Sequence, residues 1–249
     1  MSKELKDRVA LVTGASSGIG EATAIMLADA GARIAVAARR RDRLEDVARR
    51  IRESGGEALV VEADFGVEAE AQRAVRETEA AFGRLDILVN NAGVMYLEPV
   101  IEADLARWRR MFEINVLGLI AATQAALPGM RDRLDGHIVN IASTAGRLAT
   151  PTAAAYCATK FGVVAFSESL RKEIYRDGIR VSVIEPGIVE TELREHIGHE
   201  ATQKVINEWA SSLRQLKPDD VARAILYCVT QPSHVCINEI LMRPTDQER

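Results

Sequence analysis

The sequence predicts an α/β domain, with a doubly wound, mostly parallel seven-stranded sheet and helices on both faces. Three observations lead there. Short apolar runs alternate with longer helical patterns along all 249 residues, as βαβ units joined by right-handed crossovers do. The runs are continuously apolar, which suits strands buried on both faces. No linker, repeat or low-complexity stretch interrupts them, so residues 1–249 read as one domain, long enough to bury its own core.

Residues 8–13, Arg-Val-Ala-Leu-Val-Thr, form the first expected strand, and a helix follows over 19–30. The second strand covers 33–38; Asp42 is then a plausible cap for a helix ending near Gly55 and Gly56. The third covers 57–62, with a charged helix after it to about Phe82. The fourth covers 85–90 and precedes a long helix from near Asp104 to Leu127. Residues 137–142 make the fifth, before the helix that bears Tyr156, and 179–184 make the sixth. A less regular polar segment then runs to about Lys217, followed by a helix over 219–229 and a last strand near 237–242.

Composition excludes several classes. Hydrophobic residues make up 47% and charged residues 27%, as in ordinary globular proteins. A net charge of −4 argues against a nucleic-acid binder. No uninterrupted apolar run is long enough to cross a bilayer, and the charged start of the chain does not read as a signal peptide. Cys157, Cys228 and Cys236 have neither disulfide nor zinc spacing, which points to a reducing cytoplasm. Cys157 reads as a small helix-packing residue rather than a nucleophile.

The first strand leads into Thr13-Gly14-Ala15-Ser16-Ser17-Gly18-Ile19-Gly20 and then a helix. Glycine there permits a tight turn and brings backbone N–H groups to a pyrophosphate, whose charge a helix N-terminus favours. Gly14, Ser16, Ser17, Gly18, Ile19 and Gly20 are therefore candidate dinucleotide contacts, although the spacing is not G-x-G-x-x-G. Arg39, not a carboxylate, stands at the end of the second strand. It suits a 2′-phosphate and can stack on adenine, favouring NADP(H) over NAD(H). Arg40 is counted with it, but Arg40, Arg41 and Arg43 also read as the solvated start of a helix. Asp64 fits either an acceptor for the adenine amino group or a helix cap.

Tyr156 and Lys160 lie one helical turn apart. A phenol is a poor acid–base group near neutrality until a neighbouring cation favours its phenolate. Chance alone can supply such a spacing, so its context decides. Ser143 sits at a strand's carboxyl end, where doubly wound sheets bind ligands. Asn115 lies on an apolar helical stripe with Met111 and Leu119, so its amide is expected to be buried and in need of partners.

With Asn90-Asn91-Ala92-Gly93 and Pro186-Gly187 added, these motifs in their order and spacing resemble the short-chain dehydrogenase/reductase family over essentially the whole chain. Within it, Gly187 to Arg194 and the tail Arg243-Pro244-Thr245-Asp246-Gln247 are most similar to the NADP-dependent branch of clavulanic acid dehydrogenase and the 3-hydroxy acid dehydrogenases. The resemblance implies a Rossmann fold. It also implies hydride transfer between NADP(H) and a small-molecule aldehyde, ketone or 3-oxo acid, or the corresponding alcohol. Tyr156 would protonate the carbonyl oxygen, Lys160 would favour the phenolate and hold the nicotinamide ribose, and Ser143 would bond the substrate oxygen. Asn115 would hold a water near Lys160, or simply satisfy itself on local backbone. Asn91, Ala92 and Gly93 would approach the cofactor, and Pro186, Gly187, Ile188 and Thr191 would surround the carboxamide. Asn90 reads as a brace between strands.

Substrate choice would fall to residues 190–216 with Met95, Ala145, Arg147 and Leu148, beside Ser143, Tyr156 and Gly187. Arg147 fits either a substrate carboxylate or a surface loop. His196 and His199 read as solvated, and no metal is expected. The tail departs from the family's usual Gly-Gly ending, which opens a role at a subunit contact. A homotetramer, or homodimer, built on the long helices is the expected assembly. The other reading is a cofactor-binding regulator or scaffold without turnover.

Overall fold

Seven strands, all parallel, carry the core in the computed structural model, which describes residues 4–248. They are β1 (Val9–Thr13), β2 (Arg33–Ala38), β3 (Ala58–Glu62), β4 (Ile87–Asn90), β5 (Gly136–Ile141), β6 (Ile179–Pro186) and β7 (Glu239–Met242). The spatial order is β3-β2-β1-β4-β5-β6-β7, with every neighbouring pair parallel. The order reverses between β1 and β4, so their carboxyl ends flank the crevice in which such sheets take ligands.

Eight α-helices cover the two faces among the described residues. On one face α1 (Gly18–Asp29), α2 (Arg41–Glu53) and α8 (Pro218–Val229) bury Leu27, Leu44, Ile51 and Ile225 against Val12, Ile34 and Val36. On the other, α3 (Glu68–Phe82), α5 (Leu119–Arg133) and α6 (Ala154–Ile174) bury Val75, Met130 and Leu170 against Leu11, Leu88 and Ile138. Every residue of β1 and β5 is buried, which is why their sequences show no polar alternation beyond His137 and Asn140.

Four local features differ from expectation. First, Arg40 holds the N-cap position of α2, and Asp42 lies in its first turn. Asp42 there favours the helix dipole without closing the helix end. Second, the long helix is not uniform. Between α4 (Leu105–Phe112) and α5 it loosens into a π turn over Glu113–Gly118, and it continues past Leu127, with Pro128 inside, to Arg133. Third, the stretch Leu105–Arg133 is long and apolar enough to cross a membrane by length and composition, although it contains no uninterrupted apolar run of that length. Half of its most apolar window is buried inside the fold, as in a core helix. Fourth, the polar segment after β6 contains α7 (Glu200–Ser211). Val205, Ile206, Trp209 and Ala210 recur there at helical spacing, so this helix is written in the sequence although only Thr202 and Ala210 are buried.

Candidate active site

The carboxyl ends of β1, β4, β5 and β6 open into one cleft of about 720 Å³. Its first wall is the glycine turn. Gly14 and Gly18 take positive φ of 65° and 58°, a region that side chains resist. A Cβ on Gly14 would lie 2.8 Å from the Cα of Ala92, and one on Gly20 would lie 2.6 Å from Nδ2 of Asn91. So the turn must be glycine for β1 and β4 to approach. Ser17, at the N-cap of α1, makes no side-chain cap, which leaves the N–H groups of the first turn for another partner. Bare N–H groups, a glycine cradle and a helix N-terminus together fit a pyrophosphate.

Thr13 locks this turn to the next strand. Its Oγ1 accepts from the backbone N–H groups of Asn91 and Ala92, both at 2.9 Å, while Asn91 Nδ2 donates to the Thr13 carbonyl at 2.9 Å. Asn90 joins β4 to β5 and α5 through bonds to Asn140 (2.9 Å) and Thr123 (3.1 Å). Ala92 and Gly93 line the cleft between these anchors.

Three basic or acidic candidates separate here. Arg39 lines the cleft, exposed and without an ion pair among the described residues. Arg40 does not share that freedom. It donates to Ser16 (3.0 Å), Ser17 (2.8 Å) and Glu192 Oε2 (2.8 Å), tying the glycine turn to the segment after β6. It is exposed at the start of α2, as a solvated helix start would be, but it is paired rather than free. The Arg40 hydrogen bond holds the Glu192 carboxyl below its usual range. Asp64 accepts from Gly66 N–H at 2.9 Å and from Arg110 at 2.6 Å. It caps no helix, since Val67 holds the N-cap of α3. Burial pushes its carboxyl up, but the Gly66 N–H and Arg110 outweigh that and hold it low.

The reacting end lies on β5 and α6. Ser143 follows β5, and its hydroxyl accepts from Ala145 N–H at 3.1 Å. Tyr156 and Lys160 are both buried in α6 and both line the cleft. Burial pushes the Tyr156 phenol up to about 12, opposed by a hydrogen bond with Ser143. Burial also pulls Lys160 down to about 8. Its ammonium donates to the Ile141 carbonyl at 2.8 Å and lies 5.8 Å from the centroid of the Tyr156 ring. Desolvation is the largest influence on the phenol. At neutral pH the phenol is a proton donor.

Asn115 sits in the π turn, a distortion frequent at functional sites. Its amide is saturated at long range, not by local backbone. Oδ1 accepts from Val94 N–H and Nδ2 donates to the Val94 carbonyl, each at 2.9 Å, with Thr159 Oγ1 at 3.3 Å. The π turn is thereby pinned to the β4 loop on one side and to the Tyr156 helix on the other.

Pro186, Gly187, Ile188 and Thr191 line the opposite wall. Thr191 packs on the glycine turn, since a Cβ on Gly18 would lie 3.1 Å from its Cγ2. The tail also takes part: Gln247 Oε1 accepts from Ile188 N–H at 2.9 Å, and Gln247 itself lines the cleft. Nothing in its spacing announced that. Met95, Ala145 and Leu148 line the substrate half, joined by Arg194, His196, Ile206 and Trp209, which sequence reasoning left inside an undifferentiated segment.

Arg147 is a correction. It turns away from the cleft and grips the fully buried Glu185 with two bonds, Nε at 2.7 Å and Nη2 at 2.9 Å, and also reaches Glu239. A buried carboxylate without a partner would be costly, and that requirement decides where the guanidinium goes. His199 is likewise not free. It caps α7, accepting from Thr202 N–H at 3.2 Å, and its Nε2 lies 3.2 Å from Glu102.

Comparisons with known proteins agree with this geometry. The short chain dehydrogenase family model matches residues 8–202. An uncharacterized oxidoreductase of Staphylococcus saprophyticus is 38% identical over 246 residues, covering 98% of each chain. Among solved structures, the closed form of a serine dehydrogenase complexed with NADP+ superposes with a TM-score of 0.89 at 33% identity, covering 97% of this chain and 96% of that one. An alcohol dehydrogenase from the archaeon Thermococcus sibiricus, complexed with 5-hydroxy-NADP, superposes with a TM-score of 0.86 at 28% identity, covering 97% and 98%. A glycine cradle, a serine, a tyrosine and a lysine lining one cleft and a match over most of the chain lead to one assignment: this protein is an oxidoreductase belonging to the short chain dehydrogenase family.

Proposed function

We propose that the chain is an NADP(H)-dependent reductase of aldehydes, ketones or 3-oxo acids, working in reverse on alcohols or 3-hydroxy acids. The observation that carries this is that buried Tyr156 and Lys160, one helical turn apart, share one cleft with Ser143 and the glycine cradle. Bound NADPH would supply the hydride. Ser143 and Tyr156 would both donate to the carbonyl oxygen as it gains charge, and Tyr156 would pass it the proton. The charge on Lys160 would steady the phenolate that remains, and a water near the π turn of Asn115 would return the proton. The clavulanic acid and 3-hydroxy acid dehydrogenase branch is the part of the family whose substrates fit this reading.

NADP(H) is favoured over NAD(H) because Arg39, without an ion pair among the described residues, stands where β2 ends, and that strand end carries no carboxylate to repel a 2′-phosphate. The NADP bound in the serine dehydrogenase and the 5-hydroxy-NADP in the Thermococcus enzyme support the same choice. The test is initial-rate kinetics with both cofactors. NADPH should give the higher kcat/KM, and Arg39→Ala should raise its KM about tenfold or more while hardly moving that of NADH. Equal use of both cofactors, unchanged in the variant, would overturn the choice. Tight NADPH binding with no turnover of any carbonyl or alcohol would favour the regulator instead.

The homotetramer, or homodimer, belongs to the same proposal. Exposed Phe112, Leu117 and Phe161, on the long helices expected to pair, support it. A monomeric mass in solution by light scattering would reject it. The three free thiols fit a reducing compartment such as the cytoplasm.

A further inference from the structure

The charges around the cleft do not balance. Its wall carries the carboxylates of Asp64 and Glu192, and both are neutralised, by Arg110 and Arg40. Its cations are Arg39, Arg40, Lys160 and Arg194. Lys160 is committed to the Ile141 carbonyl and Arg40 to Glu192. That leaves Arg39 and Arg194 lining the cleft with no ion pair among the described residues. Arg39 stands at the β2 end. Arg194 stands on the segment after β6, between Leu193 and His196 and beside Ile206 and Trp209 of α7, in the largely apolar substrate half.

Its position is built rather than incidental. The Arg194 carbonyl accepts from Gln203 Nε2 at 3.2 Å and from Ile197 N–H at 3.3 Å, which ties the turn to α7. A bridge between Val189 and Leu216 closes the base of the segment, and one between Leu97 and Gly198 fastens it to the loop after β4. A half-buried arginine lining a largely apolar wall, in a cleft whose two carboxylates are already paired, fits an anion.

The geometry points to Arg194 as the residue that reads a carboxylate on the substrate, so that the enzyme's substrates are short oxo acids and hydroxy acids rather than neutral carbonyls. This rests on the reductase reading and narrows it. The apolar residues around Arg194 take the carbon chain, the guanidinium takes the carboxylate, and Ser143 and Tyr156 take the oxygen to be reduced.

The experiment compares matched pairs differing only in the charge: acetoacetate against methyl acetoacetate, and succinate semialdehyde against butanal. Wild type should prefer each acid. Arg194→Gln should lower kcat/KM for the acids about 10- to 100-fold, the worth of a charge-assisted hydrogen bond. It should leave the neutral partners and the KM for NADPH within about twofold, and Arg194→Lys should restore part of the loss. A second readout needs no turnover. Quenching of tryptophan fluorescence by acetoacetate in the dead-end NADP+ complex should be lost in Arg194→Gln and absent with methyl acetoacetate.

If acids and esters fall together while the KM for NADPH rises, Arg194 holds the cofactor and the inference is overturned. A wild type that favours the neutral partners keeps the reductase reading and sinks the carboxylate. Arg194-dependent binding of acetoacetate without reduction of any carbonyl keeps this inference and sinks the reductase reading. Neither binding nor turnover sinks both.

Discussion

Replacing Tyr156 with phenylalanine is expected to lower kcat for carbonyl reduction about 10²- to 10⁴-fold, the usual worth of a positioned general acid. NADPH affinity should stay within about twofold, because the change removes one oxygen from a ring that stays packed among Val94, Met111 and Ile114. The pH profiles carry the sharper information. With the phenol pushed up to about 12, Tyr156 keeps its proton through the neutral range and is competent for reduction. Wild-type reduction should therefore be level from about pH 6 to about 8, then fall as Lys160, pulled down to about 8, loses the charge that steadies the phenolate. Oxidation needs the phenolate, a minor species far below 12, so it should climb steeply as pH rises. In Tyr156→Phe the climb should vanish along with most of the rate. A variant with wild-type kcat, or one whose residual oxidation still climbs, would place the acid–base group elsewhere.

Much of this site was legible in the sequence because local chemistry determines it. The glycine turn follows from positive φ at Gly14 and Gly18 and from the close approach that leaves no room for a Cβ at Gly14 and Gly20. Tyr156 and Lys160 follow from helical periodicity. Arg147 shows where such reasoning stops. Its spacing from Ser143 suited a substrate contact equally well, and only Glu185, 38 residues away and fully buried, draws it aside. Arg194, inside a segment without clear periodicity, gave no signal until the loop's anchors were visible. The π turn was hidden for a related reason. Its residues, Glu-Ile-Asn-Val-Leu-Gly, are compatible with an ordinary helix, and the extra residue in the turn is imposed by what packs against it.

What packs against it makes Gly118→Ala the substitution with the largest expected effect on folding. A Cβ at Gly118 would fall on the carbonyl oxygen of Phe65 and only 2.9 Å from its carbonyl carbon. The Phe65 backbone has little room to yield, since its side chain is buried in the α3–α5 layer and Asp64 beside it is held by Arg110. The helix must therefore shift, and the cost should be about 3 kcal/mol or more, the range of severe overpacking. Gly162→Ala is the control. That glycine is also helical, in α6, but a Cβ there meets only Val116 Cγ2 at 4.0 Å, so alanine should be neutral or stabilising by up to about 1 kcal/mol. Urea midpoints of the two variants should thus move in opposite directions or differ widely. Activity supplies a second readout. Asn115 stands three residues before Gly118 and holds Val94 through two bonds of 2.9 Å. Movement of the π turn loosens that clamp, so kcat should fall even at low temperature, where the folded fraction is high. Equal midpoints for the two variants would mean that the close approach to Phe65 does not constrain the turn. Lost stability with undiminished kcat would mean that the turn supports the fold without supporting the chemistry.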